Sequence, residues 1–496
     1  MQQNVDLSQV ADRARGQGGV DVRSRQLRFN TEHQTFIGKD FVKWLFNNKI
    51  ASHEYHAEEI AKQMFAEKYF VGLNAEAFSN GPELYRFKEH EASNTETETW
   101  HKVSKDLDGQ QVPYAEMNAK YGERSDIFGK TQGMHIPEML IDEVNCDLYD
   151  AVRPIKWVDP EVDGQDKYDM LVIGGGAGGL VTAAGSKGAG ARVCLIERAF
   201  LGGDCLNNGC VPSKAFLRSC NVVHSAKTAS KFGVEIQGEI KVDFPAIMKR
   251  MRQIRADISD NDSAQRFSKN MGVDLYLGHA KFTGDHNVEI NGKVISFTKA
   301  CVATGGRPNI PDVEGLKEVK YYTSDNIFNL TEQPKRMLIV GAGPIGCELG
   351  QGFARLGTNV TIISSGSSFL PQEDADCSIY LQEQMKQDGV QIRLDTNVTS
   401  FSQSDQGEIS ATLKHQDQSS VEKFDIVMLG KGRVPNVENL GLDEAGIKFD
   451  NTGVLVNDNL QTSNPDVYAV GDCIPGPKFT HNSDVHARYV IRNALF

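Results

Sequence analysis

The residues best placed to do chemistry are two cysteines in GGDCLNNGCVPSK, residues 202–214, where Cys205 and Cys210 are separated by four residues. A distorted helical turn brings side chains at that spacing close enough for a strained disulfide. A thiolate there is stabilised by a helix N-terminus and by the nearby cation of Lys214. Exchange with a second disulfide then proceeds through a mixed disulfide. A zinc site would require two further ligands at matched spacing, and the sequence offers none.

Two glycine-rich units flank this segment and would have to position it. The first, YDMLVIGGGAGGLVTAAGSKGAGARVCLIER, reads as strand, turn and helix, with Gly174, Gly176 and Gly179 in the turn. The first glycine makes the tight turn, the second admits a pyrophosphate, and the third lets helix pack on strand. A second strand ends at Glu197, a carboxylate placed to accept hydrogen bonds from a ribose. The second unit, RMLIVGAGPIGCELGQGFARLGTNVTIISS, repeats the pattern with Gly341, Gly343 and Gly346. Its next strand ends in Ser364 and Ser365 instead of an acid, which removes the selection against a 2′-phosphate and leans towards NADP over NAD. Two such units predict an α/β chain with two Rossmann-like doubly wound domains. They also call for two dinucleotides, FAD in the first and a nicotinamide cofactor in the second.

From Tyr168 to the last residue the chain resembles the FAD-dependent pyridine nucleotide–disulfide oxidoreductases, the group of dihydrolipoamide dehydrogenase, glutathione reductase and mercuric reductase. Beside the glycine turns and the cysteine pair, the resemblance rests on ATGGRP (Ala303 to Pro308), GRVPN (Gly432 to Asn436), VYAVGDC and the terminal FTHNSDVHARYVIRNALF. It implies a flavin domain over residues 168–328 and 436–496 and an NAD(P) domain over 329–435. It also implies that Cys205 meets the substrate, that Cys210 faces the flavin, and that Lys214 and Glu348 pair near the ring. Asp472 would hold the ribityl chain, with Gly203, Ala280, Thr304 and Gly305 as further flavin contacts. The acceptor would be a small-molecule or protein disulfide, with mercuric ion as the alternative.

Asp204 and Asn208 depart from the family's usual Thr and Val, and a carboxylate at 204 is expected to raise the thiol pKa. The chain stops at Phe496, without the family's C-terminal dimerisation domain and its acid–base histidine, which suggests a fragment. A homodimer is expected if the full-length chain carries that domain. The N-terminal CxxC metal-binding module of many mercuric reductases is missing too.

The first 92 residues read as a small helical α+β domain, with Ile37, Phe41 and Leu45 on one helix face, a second helix from His56 to Tyr69, and a strand in GPELYRF. FIGKDFVKWL (Phe36 to Leu45) and LYRF (Leu84 to Phe87) resemble a DEP domain, which implies protein or membrane-surface docking. A rival reading of the whole chain follows, in which DEP-mediated docking is the function and the flavin module a redox sensor. Residues 93–167 open as a polar linker, HEASNTETET, and carry no assignable motif.

Composition narrows the rest. A formal charge of −13 gives no electrostatic footprint for nucleic acid. Nine cysteines, most of them scattered, do not form a secreted disulfide framework, so a reducing, cytoplasmic compartment is expected. His481 and His486 are expected to be structural, and Cys347 and Cys473 to be small apolar fillers. The basic run KRMRQIR, Lys249 to Arg255, reads as a solvated helix face.

Overall fold

The computed structural model describes residues 136–161 and 167–496, preceded by isolated strands and helices between residues 23 and 113. The chain divides into two units, residues 1–103 and 104–496. In the first, Arg23–Leu27 pairs antiparallel with Asn30–Ile37, whose end pairs with Leu84–Phe87, and that strand pairs in turn with Phe70–Gly72. A helix spans Glu54–Ala66 and buries Ala57, Ile60, Ala61 and Met64 at the three-to-four-residue spacing of one helical face. The expected helix from Ile37 differs, because Ile37 closes a strand and helix is described only from Phe41. The rest of the expected DEP-like segment, and the polar linker at HEASNTETET, lie outside the described residues.

In the second unit, the strand Tyr168–Ile173 is buried at all but one position, as a central parallel strand covered on both faces must be. It lies between Val193–Glu197 and the C-terminal half of Lys293–Val302, all parallel. Asp274–Leu277 extends one edge and Val467–Ala469 joins the Lys293–Val302 strand. The return of the chain to this sheet after residue 436 makes the first domain discontinuous. The second sheet runs Tyr321–Tyr322, Ile426–Leu429, Arg336–Val340, Asn359–Ile363 and Gln391–Arg393, all parallel. Its first strand precedes residue 329, the boundary expected from sequence.

Each central strand leads into a glycine turn and a helix, Ala177–Gly188 in the first domain and Pro344–Leu356 in the second. The cysteine segment forms a short helix, Gly203–Asn207, followed by Cys210–Lys227. Cys210–Lys227 packs on Pro344–Leu356 through Phe216 and Phe353, whose rings lie 5.0 Å apart, and so couples the two domains.

Residues 136–161 belong to the first domain's core. The helix Glu143–Val152 is capped by the Asp142 side chain and buries Leu148, Tyr149 and Val152 against Leu201, Leu206 and Phe267. Trp157 Nε1 donates to Leu275 O at 3.2 Å, which fastens the segment to the edge strand.

Candidate active site

The two glycine turns open onto one cavity of about 1120 Å³, which also contains both cysteines. That volume is larger than the ~300–1,000 Å³ of an ordinary small-molecule site. Gly174 has φ +108°, and a Cβ there would lie 2.3 Å from Ala303 O. Gly341, at φ +121°, stands in the same relation to Gly430 O. Gly203 turns the cysteine segment against the first glycine loop so closely that a Cβ would meet Gly176 Cα at 2.6 Å. The backbone thus leaves an open groove in front of each helix N-terminus, where phosphates are favoured. These features fit two dinucleotides.

Gly174, Gly176, Glu197, Gly203, Ala280, Thr304, Gly305 and Asp472 line this cavity around the first turn, and Gly341, Gly343 and Ser364 line it around the second. Gly179 and Gly346 stand behind the turns, where their helices touch Gly174 O and Gly341 O. Glu197 is buried, and its two carboxylate oxygens accept hydrogen bonds from Gly175 N and Ala199 N, both at 2.5 Å. It therefore also holds the turn itself, a role the spacing argument missed.

Both cysteines are free thiols in this structure, and the Cys205 thiol donates a hydrogen bond to Cys210. That bond is the largest cause lowering Cys210 from the ordinary 9.0 to about 6. Burial opposes it, while the Thr480 hydroxyl, 3.2 Å from Cys210 Sγ, and the charge of Lys214 assist it. Cys205 is raised for the complementary reason, since it retains the shared proton and is partly buried. One thiolate and one thiol result at neutral pH.

Lys214 Nζ lies 2.8 Å and 2.9 Å from the two oxygens of Glu348, an exposed pair that joins the helices of the two domains at the cavity. Asp204, expected from sequence to raise the thiol pKa, is instead engaged by Arg433. Its own carboxyl is raised by burial against the pull of that guanidinium, and it is not among the causes shifting Cys210. Arg433 bonds to Asp204, donates from Nε to Asp472 at 3.2 Å, and donates to Gly306 O at 2.7 Å. Asn208 donates to Asp325 Oδ1 at 2.5 Å, so the second departure from the usual sequence is also paired.

Other side chains stand where only the fold could put them. Lys431 follows the Ile426–Leu429 strand, and its Nζ lies 3.4 Å from Ser365 Oγ, bringing a cation to the end of the second domain's ribose strand. KRMRQIR is not a solvated face, because Arg252 and Arg255 are buried. They lie three residues apart on the inward side of the Phe244–Ser259 helix, with Met248 and Met251. Cys347 and Cys473 are buried, and each thiol is directed at backbone carbonyls. Among the described residues no group of His, Cys, Asp and Glu forms a metal site. Among them, too, no helix is long and apolar enough to cross a membrane.

Two cysteines in one cavity with two glycine turns are the arrangement of a protein that binds two dinucleotides beside a thiol pair. The chain belongs to the family described as pyridine nucleotide-disulphide oxidoreductase, which it matches over residues 168–487. It is 31% identical over 357 residues to a mercuric reductase of Lysinibacillus sphaericus, covering 72% of this chain and 65% of the relative. It is also 33% identical to a dihydrolipoyl dehydrogenase of Bacillus subtilis, covering 63% of this chain and 68% of that one. Among solved structures it is similar to the HOCl-induced flavoprotein disulfide reductase RclA from Escherichia coli in its Cu(II) complex. That match has TM-score 0.59 and 26% identity and covers 67% of this chain and 71% of the other. The chain spans about 52–65% of the length of the mercuric reductases it matches.

Proposed function

We propose that this chain takes a hydride from NADPH and, through FAD, reduces the Cys205–Cys210 disulfide to a pair of thiols, which are reoxidised as they reduce a disulfide substrate. The observation that carries this reading is the placing of both cysteines in the cavity shared by the two glycine turns. When bound, FAD supplies the two-electron relay between nicotinamide and sulfur.

The protein's own residues supply the remainder. Reduction with two electrons and one proton opens the S–S bond to a Cys205 thiol and a Cys210 thiolate, the distribution favoured by the lowered Cys210 and the raised Cys205. Thr480 holds the thiolate by hydrogen bond, and Glu348 holds Lys214 in place. Passage of the shared proton from Cys205 to Cys210 frees the Cys205 thiolate. This attacks the substrate disulfide, forms a mixed disulfide and expels one substrate thiolate, which takes the proton from Cys210. Cys210 then attacks Cys205 Sγ, restores the disulfide and releases the second substrate thiolate.

Lys431 beside Ser365 supports NADPH over NADH, because an ammonium and two hydroxyls suit a 2′-phosphate and no carboxylate ends the ribose strand. Similarity to mercuric reductases supports a second reading, in which the thiolates receive Hg(II). Anaerobic titration with NADPH tests the main reading. Bound flavin and a thiolate–flavin charge-transfer band at two-electron reduction are expected, followed by turnover with lipoamide or glutathione disulfide. Turnover with Hg(II) but neither disulfide selects the second reading, and disulfide turnover that survives Cys205→Ser overturns the first.

A further inference from the structure

We infer that Arg255 and Asn145 are positioning residues for the redox pair, through which a helix lying before the family match clamps the cysteine loop. The inference rests on the reading of Cys205 and Cys210 as that pair. Arg255 is among the largest fully buried side chains of the described residues. Its Nη1 bonds to the backbone carbonyl of Asn207, between the two cysteines, and its Nη2 donates to Asn145 Oδ1 at 2.9 Å. Burial lowers the guanidinium only to about 10, so it stays charged at neutral pH. A buried cation bonded to a carbonyl and an amide, with the nearby Asp142 carboxylate already paired to Arg252, recovers only part of the hydration it gives up. Such an arrangement demands a reason beyond packing.

The surrounding contacts all bear on the same loop. Asn207 Nδ2 donates to Leu201 O at 2.9 Å and Gly203 O at 2.8 Å, so the side chain closes the turn that Arg255 holds by its carbonyl. Arg252 Nε pairs with Asp142 at 2.7 Å, at the N-cap of the Glu143–Val152 helix that carries Asn145. The end of that helix reaches the loop directly, since Leu201 N donates to Val152 O at 3.1 Å. Arg153 Nη1 donates to Glu197 O at 3.2 Å, on the strand leading into it. On the opposite side Asn208 is tied to Asp325. A loop held at consecutive residues from two sides keeps the Cys205 thiol aimed at Cys210, the contact that sets which sulfur carries the charge. The clamp residues before position 168 lie outside the stretch that matches the family.

Full-length Asn145→Ala and Arg255→Lys test the inference, with Trp157→Phe as a control that breaks a bond of the same segment away from the loop. The thiol–disulfide equilibrium of Cys205 and Cys210 against dithiothreitol, the Cys210 thiolate titration and the melting temperature are measured on each. We expect both clamp variants to shift the equilibrium constant by about threefold or more and to move the titration upward, since a loosened loop weakens the thiol–thiolate bond. Trp157→Phe should lower only the melting temperature. Clamp variants that melt earlier yet keep the wild-type equilibrium and titration overturn the inference while leaving the site reading intact. If Arg255→Lys does not fold, Asn145→Ala decides alone. A wild-type chain whose two cysteines form no reversible disulfide overturns the site reading and this inference with it.

Discussion

Replacing Cys205 with alanine removes the first cause of the low Cys210 pKa while leaving Thr480 and Lys214 in place. In the unaltered reduced protein Cys210 titrates at about 6 against an ordinary 9.0. At pH 7 a thiol with the lower value is about nine-tenths thiolate, and one with the ordinary value about one-hundredth. The folded value is depressed, so thiolate is present above about 6 and is lost as pH falls through it. With the donor gone, burial pushes the value up, while the hydroxyl, the ammonium and a backbone hydrogen bond resist. We expect a rise of roughly one unit or more. Cys205→Ser, whose hydroxyl still donates, should fall between the two. The assay is the ultraviolet absorbance of thiolate against pH on reduced protein, with Cys210→Ala as the baseline. Alkylation by iodoacetamide at pH 6 should slow in parallel. If Cys210 in the Cys205→Ala protein still titrates near its original value, the thiol–thiolate bond is not the cause and the division of labour between the two sulfurs fails.

Arg433→Leu leaves Asp204 and Asp472 facing each other without their cation, and because Asp204 is partly exposed to solvent the cost is about 1–3 kcal/mol, less than for a fully buried pair. Loss of thermal stability and of flavin retention on gel filtration is expected, with partial recovery in Arg433→Leu combined with Asp204→Thr; full stability of the single variant would contradict the pairing. Gly203→Ala places a methyl 2.6 Å from Gly176 Cα at positive φ, against backbone that cannot yield. Flavin content should fall sharply in that variant while binding of the nicotinamide dinucleotide at the second glycine turn is unchanged, as measured by calorimetry.

How much of this was legible beforehand follows from the range of the interactions. The glycine turns, the cysteine spacing and the strand-to-helix alternation are local, because each depends on backbone conformation within a few residues. They were enough to specify two doubly wound domains and to nominate Cys205, Cys210 and Lys214, while Glu348 was implied only by the family resemblance. The discontinuous first domain was legible through the GRVPN and VYAVGDC motifs, while the strand at Tyr321–Tyr322 carried too short a pattern to announce its sheet.

Charged residues were misread wherever their partners are distant. KRMRQIR has the composition of a surface run, and it is the packing of Glu143–Val152 and of the cysteine segment on its helix that buries Arg252 and Arg255. Asp204 looked like a threat to the thiols until the chain brought Arg433 to it across 229 positions. Lys431 sits 66 positions from Ser365, so no local pattern around the serines contains it.

The sequence alone therefore determined which backbone shapes form and which sulfur atoms lie near each other, since a short chain segment has few sterically allowed ways to carry those residues. Tertiary structure decided the charge on each group. Whether a thiol, carboxylate or guanidinium is stabilised depends on what surrounds it within a few ångströms. At Cys210 one such neighbour is Thr480, 270 positions along the chain, and that proximity exists only once the two separate segments of the first domain have come together.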